Sequence, residues 1–520
     1  MKTRAMILAS AAVVVACPHA ANAQENTESG PDADSSVIIV TAQRQSQSLQ
    51  EVPIAVSAFD AEALGSQQIE NASDLQLTLP NVSFSKGNFT AASFTIRGIG
   101  DLCVGVTCDA ATAIHVNGSP LFGTRLFETE YFDLERVEVL RGPQGTLFGR
   151  NATSGVVNFV TAKPDLGAFG ASGELEYGNY NSIRVEGMVN APITDTIGVR
   201  LAGFYLNRDG YTTNLFDGTD IDDRDMYAFR GSLRFEPTVD TTIDLMGYYF
   251  REKDNRLRNQ KQTCQRDPLG VLGCLNNRRD FDITNANSTV GATLSSQEFF
   301  ALQGIPSALG LGSLYGPDAF SGFNEPSDVR VVNTAYTPFY FADELQLQAR
   351  LEQRLGDLSL SATGIYQDTQ VDSRQDYFLG IQNRSTFAPA LNALSSFATV
   401  GIPTGLPAPA PAVVPGSAAY FAPIAQALIP SGPQGVLCTS DNDDGNRGAF
   451  EGNSRCSETP LSFDRSAERR KSWSAEVLLS SDFDGSFNFL LGGIYARSKT
   501  TDNIHYVKLS LSSSEFCSAY

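Results

Sequence analysis

Eight cysteines, three histidines and two aspartate-rich runs carry the side chains whose type and spacing could do chemistry. Cys103 and Cys108 form a C-x4-C pair, a spacing open to metal binding or to a small disulfide. No histidine or further cysteine adjoins them, which favours the disulfide. Cys264 with Cys274, and Cys438 with Cys456, make two more local pairs, as expected of an oxidising compartment. Cys17 and Cys517 are left over. Asp217, Asp220, Asp222, Asp223 and Asp225, and later Asp441, Asp443 and Asp444, gather carboxylates, yet neither run has calcium-loop spacing. Solvated loop tips are expected there. His115 lies in a β-rich segment, where a packed or solvated imidazole is expected rather than a ligand. Neither a metal site nor a cofactor is assigned. The sequence has no G-x-S-x-G, no H-E-x-x-H and no phosphate-loop motif, and too few histidines for a triad. Catalysis is not expected.

The chemistry sits in a chain addressed outward. Lys2 and Arg4, the apolar run Met6 to Ala16 and the small residues Ala21-Asn22-Ala23 make residues 1–23 a secretory signal, too short to cross a bilayer. Val14-Val15-Ala16-Cys17 also looks like a lipoprotein box, but Pro18 and the better site at Ala23 argue against it. Residues 24–36 are polar, acidic and without a core, so disorder is expected. No later run reaches the roughly 18 apolar residues of a transmembrane helix. A formal net charge of -20 argues against nucleic-acid binding, which needs clustered Lys and Arg.

Two patterns of element must position these residues. From Val37 to Pro164 short β-rich pieces such as Phe94 to Arg97 and Ala113 to Val116 alternate with helix-like pieces, Asp60 to Gln68 and Ala72 to Leu79. From about Gly170 the period becomes two. Tyr227, Phe229, Gly231, Leu233 and Phe235 alternate with Ala228, Arg230, Ser232 and Arg234. About nine such strands are predicted, near 170–178, 182–191, 196–207, 225–236, 240–251, 341–354, 357–369, 471–481 and 486–498. Tight connections at 192–195, 237–239, 355–356 and 482–485 alternate with long ones near 207–225, 252–340 and 370–470. Short turns at one end and long loops at the other are the asymmetry of a transmembrane barrel, and a soluble sandwich would not carry such loops. Tyr205, Tyr248, Tyr249, Phe250, Tyr366 and Tyr495 are expected in its interfacial girdles. Pro- and Ala-rich 403–417 reads as an irregular loop.

Motifs in the first part add a family. Val37-Ile38-Ile39-Val40-Thr41-Ala42 is followed by Gln50 to Ser57 (QEVPIAVS), by Phe94 to Gly100 (FTIRGIG) and by Ile114 to Gly118 (IHVNG). The most specific block is Glu135 to Arg150 (ERVEVLRGPQGTLFGR), continued by Asn151 to Thr161 (NATSGVVNFVT). Together they resemble the TonB-dependent outer-membrane receptors, essentially along the whole mature chain. The resemblance implies a mainly β fold: a small α/β plug, residues 43–164, followed by an antiparallel transmembrane β-barrel, residues 165–520. In the family that barrel has 22 strands, and only about nine to ten are present here. So few strands cannot close around a plug, and an open edge in lipid costs several kcal/mol per unsatisfied group. A truncated chain is therefore expected.

The resemblance also implies roles. Val37, Ile38, Ile39, Val40, Thr41 and Ala42 correspond to the TonB box, a β-prone segment able to add to a partner's sheet edge; the alternative is a first strand of the plug. Arg97 and Arg141 correspond to plug arginines that face barrel acids, with ordinary plug-surface arginines as the alternative. Cys103 and Cys108 fall at the ligand-facing plug apex. The implied partners are TonB, with ExbB/ExbD, outer-membrane lipid, and a small-molecule ligand, an iron chelate by family frequency. The implied setting is the outer membrane of a Gram-negative bacterium. The expected function is TonB-dependent uptake of a ferric siderophore; a saccharide, an aromatic compound, cobalamin or haem is the alternative substrate. A passive porin and a non-functional fragment are the competing classes. A signal transducer is disfavoured, because the 13 residues between the signal and the box cannot fold into a further domain.

Overall fold

The computed structural model describes residues 38–509 except 46, 87–91, 101–109, 123–129, 259–263, 270–273, 276–281, 283–284, 289, 306, 308–309, 311, 321, 324 and 441–453. Its first part is a small inner unit. β1 (Ile39–Val40) pairs antiparallel with β2 (Gln47–Ser48). β3 (Val56–Asp60) leads into α1 (Ala61–Ser66) and α2 (Ala72–Thr78). Both helices start where a side chain accepts from exposed amides: Asp60 from Ala63 at 2.8 Å, and Asn71 from Ser73 at 2.9 Å and Asp74 at 3.2 Å. β4 (Val82–Lys86) and β5 (Ala92–Ile96) form a hairpin. β6 (Thr112–Val116), β7 (Ser119–Leu121), β8 (Leu134–Arg141) and β9 (Gly155–Thr161) complete a five-stranded sheet of order β3-β8-β9-β6-β7. β6 turns into β7 through Asn117 and Gly118, both at positive φ, as a two-residue hairpin turn requires. Leu75, Phe94, Ile96, Val137, Val139 and Val157 fill the core.

The second part is one antiparallel sheet of nine sequential strands: β10 (Gly170–Gly178), β11 (Ser182–Thr194), β12 (Ile197–Arg208), β13 (Arg224–Thr238), β14 (Thr241–Asp254), β15 (Phe339–Leu355), β16 (Leu358–Asp376), β17 (Ser462–Ser481) and β18 (Leu490–Leu509). All nine predicted strands and three of the four tight turns are present, the fourth connection extending over 482–489 rather than 482–485, and among the described residues the sheet does not close. Its polarity is inverted relative to a soluble sheet. Phe229, Leu201, Leu245, Leu347, Val477 and Leu491 stand on the exposed face, while Arg230, Glu344, Gln346, Gln348, Gln367 and Ser474 are buried against the inner unit. That is the alternation of a wall between lipid and a polar lumen.

Several expectations need correction. The predicted girdle splits by strand parity. Tyr205 and Tyr495 stand on the exposed face, but Phe250 is buried, with Tyr248 packed beside it, in the cluster around Phe132. Asp222 is not at a solvated tip. It is buried, accepting from Thr212 Oγ1 at 2.6 Å and the Leu257 amide at 2.7 Å. Asp441, Asp443 and Asp444 lie outside the described residues. The connection after β16 is not simply irregular: helices Ala388–Thr399 and Ser417–Leu428 flank the irregular 403–416 stretch and pack through Leu391, Leu394, Phe421, Ile424 and Leu428. Disulfides join Cys264 to Cys274 and Cys438 to Cys456. Cys103 and Cys108 lie outside the described residues.

Candidate functional site

The segment expected to be a box lies docked. Val37 is outside the described residues. Val40 and Ala42 are fully buried against Leu140, Phe148 and Val156, Ile38 packs partly on the same cluster, and Ile39 is exposed. Short β propensity and an apolar alternation let the segment pair with β2 while one face enters the core. Thr41 is held hardest. Its amide donates to Glu138 Oε1 at 2.8 Å, and its hydroxyl lies 3.1 and 3.0 Å from the two carboxylate oxygens. The Arg44 amide then closes a turn on the Thr41 carbonyl at 3.0 Å, with Arg44 itself left-handed at φ 63°.

Arg44 reaches from this turn to the wall. Its guanidinium donates to Glu476 Oε1 on β17 at 2.8 Å, to the Gly118 carbonyl at 2.7 Å and to the Leu147 carbonyl at 3.1 Å. It also lies over the Phe148 ring at 4.6 Å. His115 is fully buried beside it, its Nδ1 2.9 Å from the same Gly118 carbonyl. Burial, with a smaller effect from Arg44, drives its pKa down to about 3, so the imidazole is neutral.

Higher on the seam the charges are arranged the other way round: wall arginines clamp carboxylates of the inner unit. Asp133, left-handed at φ 47°, accepts from Arg200 Nε on β12 at 3.1 Å and also pairs with Arg200 Nη2. Arg230 on β13 donates to the carbonyls of Phe132 at 2.7 Å and Asp133 at 2.6 Å, and lies over the Phe132 ring at 4.6 Å. Phe132 itself is inserted among Phe204, Met226, Phe250 and Tyr340 of the wall. On β11, Arg184 meets Glu70 at 2.6 Å and Glu130 at 3.2 Å. Burial raises the Glu130 carboxyl to about 7; Arg184 opposes the shift and Glu70 adds to it.

Arg97 and Arg141 take a different place. Arg97 is exposed, and Arg141 donates to Ser57 Oγ within the inner unit at 3.2 Å. The described residues therefore do not bring them to a wall carboxylate. Sequence reasoning did not single out Arg44, Glu138, Asp133, Glu130, Arg184, Arg200, Arg230 or Glu476. The wall arginines had a signal, since they occupy the polar parity of their strands. One cavity between the two parts, lined by Glu130, Tyr131, Arg230, Tyr248, Glu344 and Gln346, measures about 80 Å³, and a second, lined by Phe122, Phe148, Arg150 and Ile494 among others, about 280 Å³.

Residues 48–156 match the family model of the TonB-dependent receptor plug domain. The chain is a TonB-dependent-receptor-like protein. The inner unit is its plug and the nine strands are receptor-type wall. Among curated relatives it is similar to the ferrioxamine B receptor of Salmonella typhimurium, 34% identical over 125 residues, or 23% of this chain and 16% of that one. It is 23% identical over 243 residues to the iron-regulated outer membrane virulence protein of Vibrio cholerae, covering 44% of this chain and 35% of that one. The matched stretches thus span well under half of these relatives. In structure it is similar to the pyoverdine-bound pyoverdine outer membrane receptor of Pseudomonas aeruginosa, with a TM-score of 0.51 and 13% identity, covering 88% of this chain and 48% of that one. It is equally similar to the closed form of a ferric-catecholate import receptor of E. coli K12, with a TM-score of 0.50 and 14% identity, covering 87% and 48%. Its setting is the outer membrane of a Gram-negative cell.

Proposed function

We propose that this receptor-like protein takes up a ferric siderophore across the outer membrane, energised by TonB together with ExbB/ExbD. The carrying observation is the docked 38–44 segment, whose Arg44 ties the plug to the wall strand bearing Glu476 at 2.8 Å. In this reading residues 43–164 are the plug, the strands from Gly170 onward are barrel wall facing lipid, and the long connections are extracellular loops that capture the ligand. TonB adds to residues 37–42 as a strand and pulls. The pull takes Val40 and Ala42 out of the core, opens the Arg44–Glu476 pair and lets the plug rearrange so that ligand passes inward.

The iron chelate is the ligand best supported, because relatives to which the chain is similar are named for ferrioxamine B and for iron regulation. In the full receptor, deleting residues 37–42 should abolish uptake of the iron-loaded chelate and leave binding at the cell surface within about twofold of normal, since the deleted residues touch only plug and partner. Uptake that persists after the deletion, and after the proton gradient is collapsed, would sink the reading.

A further inference from the structure

We infer that Glu138 is the anchor of the 37–42 segment, a positioning residue that keeps the segment on the plug through Thr41 until it is pulled away. This rests on the reading that the segment is where TonB pulls. Glu138 is fully buried in the middle of β8, out of reach of bulk solvent. Three sources of donors converge on it: the Thr41 amide and hydroxyl, Arg136 Nε at 2.7 Å, and Asn158 Nδ2 at 3.1 Å. Only the Thr41 donors belong to the mobile side. Withdrawing the segment strips a buried carboxylate of two donors at once, and a hydrogen bond to a charged group is stronger than a neutral one.

The anchor also joins the wall contact. Asn158, which donates to Glu138, accepts from the Gly118 amide at 3.0 Å, and the Gly118 carbonyl takes Arg44 Nη1 at 2.7 Å. Thr41 and Arg44, three residues apart, are thus gripped from a single bridge. A structural carboxylate that only held β8 in its sheet would have no need of a partner outside the sheet. Here two of the donors come from the one segment that has to leave.

The test is cysteine accessibility in outer membranes from cells lacking TonB, using the full receptor with Ile38→Cys as reporter and a maleimide as probe. The same protein without the introduced cysteine sets the background. Ala72→Cys, a fully buried position of the plug core, reports on the plug itself. Glu138→Gln should raise modification of Ile38→Cys about tenfold and Thr41→Val, which loses only the hydroxyl, about threefold, through more frequent local opening. Ala72→Cys should stay protected in both. Unchanged rates at Ile38→Cys in both variants would overturn the inference. So would a rise at Ala72→Cys alongside it in Thr41→Val, because the effect would then be loosening of the whole plug. TonB takes no part in this assay, so its outcome is separate from that of the uptake experiment on the 37–42 deletion.

Discussion

Glu130 stands where the plug meets the wall with a charge that it can lose near neutrality. Burial pushes its carboxyl up to about 7, against the pull of Arg184 at 3.2 Å. The folded value is above the ordinary carboxylate value, so docking binds a proton. The contact is strongest at low pH and weakens as pH rises through about 7, where the folded protein must carry a buried charge. Between pH 5 and pH 8 the plug–wall contact should lose on the order of 2–3 kcal/mol from this group. Glu130→Gln should flatten that dependence, as read from the denaturation midpoint of the plug across the same range. A slope that survives the substitution would place the titrating group elsewhere. His115 is not that group, because a pKa of about 3 leaves it neutral throughout.

The start of β8 works as a peg. Phe132 is inserted into an apolar socket of five wall strands, β12 to β16, and Asp133 beside it is clasped by Arg200 and Arg230. Asp133→Ala removes the carboxylate and leaves two shielded guanidinium groups facing each other. One-sided loss of such a pair costs about 3–5 kcal/mol. The expected result is a plug that digests with protease at lower denaturant while the wall strands stay protected, and Arg230→Met in the same background should recover part of the loss. Equal protease resistance of Asp133→Ala and the parent would mean that the peg does not hold the plug. Peg and socket were not legible in the sequence, since a clasp depends on which strands face which plug residues. The wall strands were legible because alternation repeats on every one of them. Their ends were underestimated: β17 runs for 20 residues, while about 9–11 cross a membrane. Beyond the apolar band both faces turn polar, as at Asp372, Ser373 and Arg374, and the period-two signal disappears. The helices at Ala388–Thr399 and Ser417–Leu428 were hidden by Ala- and Pro-rich composition. In the plug, Asp60 marked its helix openly, whereas the Asn71 cap of the next helix was not singled out, and the 135–161 block marked the family. The partners of Thr41 and Arg44 lie about 100 and 400 residues away, beyond any local pattern.

At the scale of the molecule the plug is fastened unevenly, and the unevenness gives a direction to its movement. Past β9 it is joined covalently to the wall through Pro164, and Asn190 on β11 grips Asp165 twice, its Oδ1 accepting from the Asp165 amide at 2.9 Å and its Nδ2 donating to the Asp165 carbonyl at 2.9 Å. The peg at Phe132 and Asp133 fixes the same side. The 38–44 segment is held by the buried Val40 and Ala42 and by the polar contacts of Thr41 with Glu138 and Arg44 with Glu476. Force applied at residues 37–42 therefore meets these fastenings first, and the plug should open from that side while the peg still holds. The most direct measurement is uptake by the full receptor carrying Arg44→Cys and Glu476→Cys, joined by a thiol-cleavable cross-linker. With the link intact, surface binding of the iron-loaded chelate should stay within about twofold while uptake falls at least tenfold, and cleavage should restore it, because binding and force transmission use separate contacts. Uptake that proceeds at the uncross-linked rate while the link is intact would contradict the account.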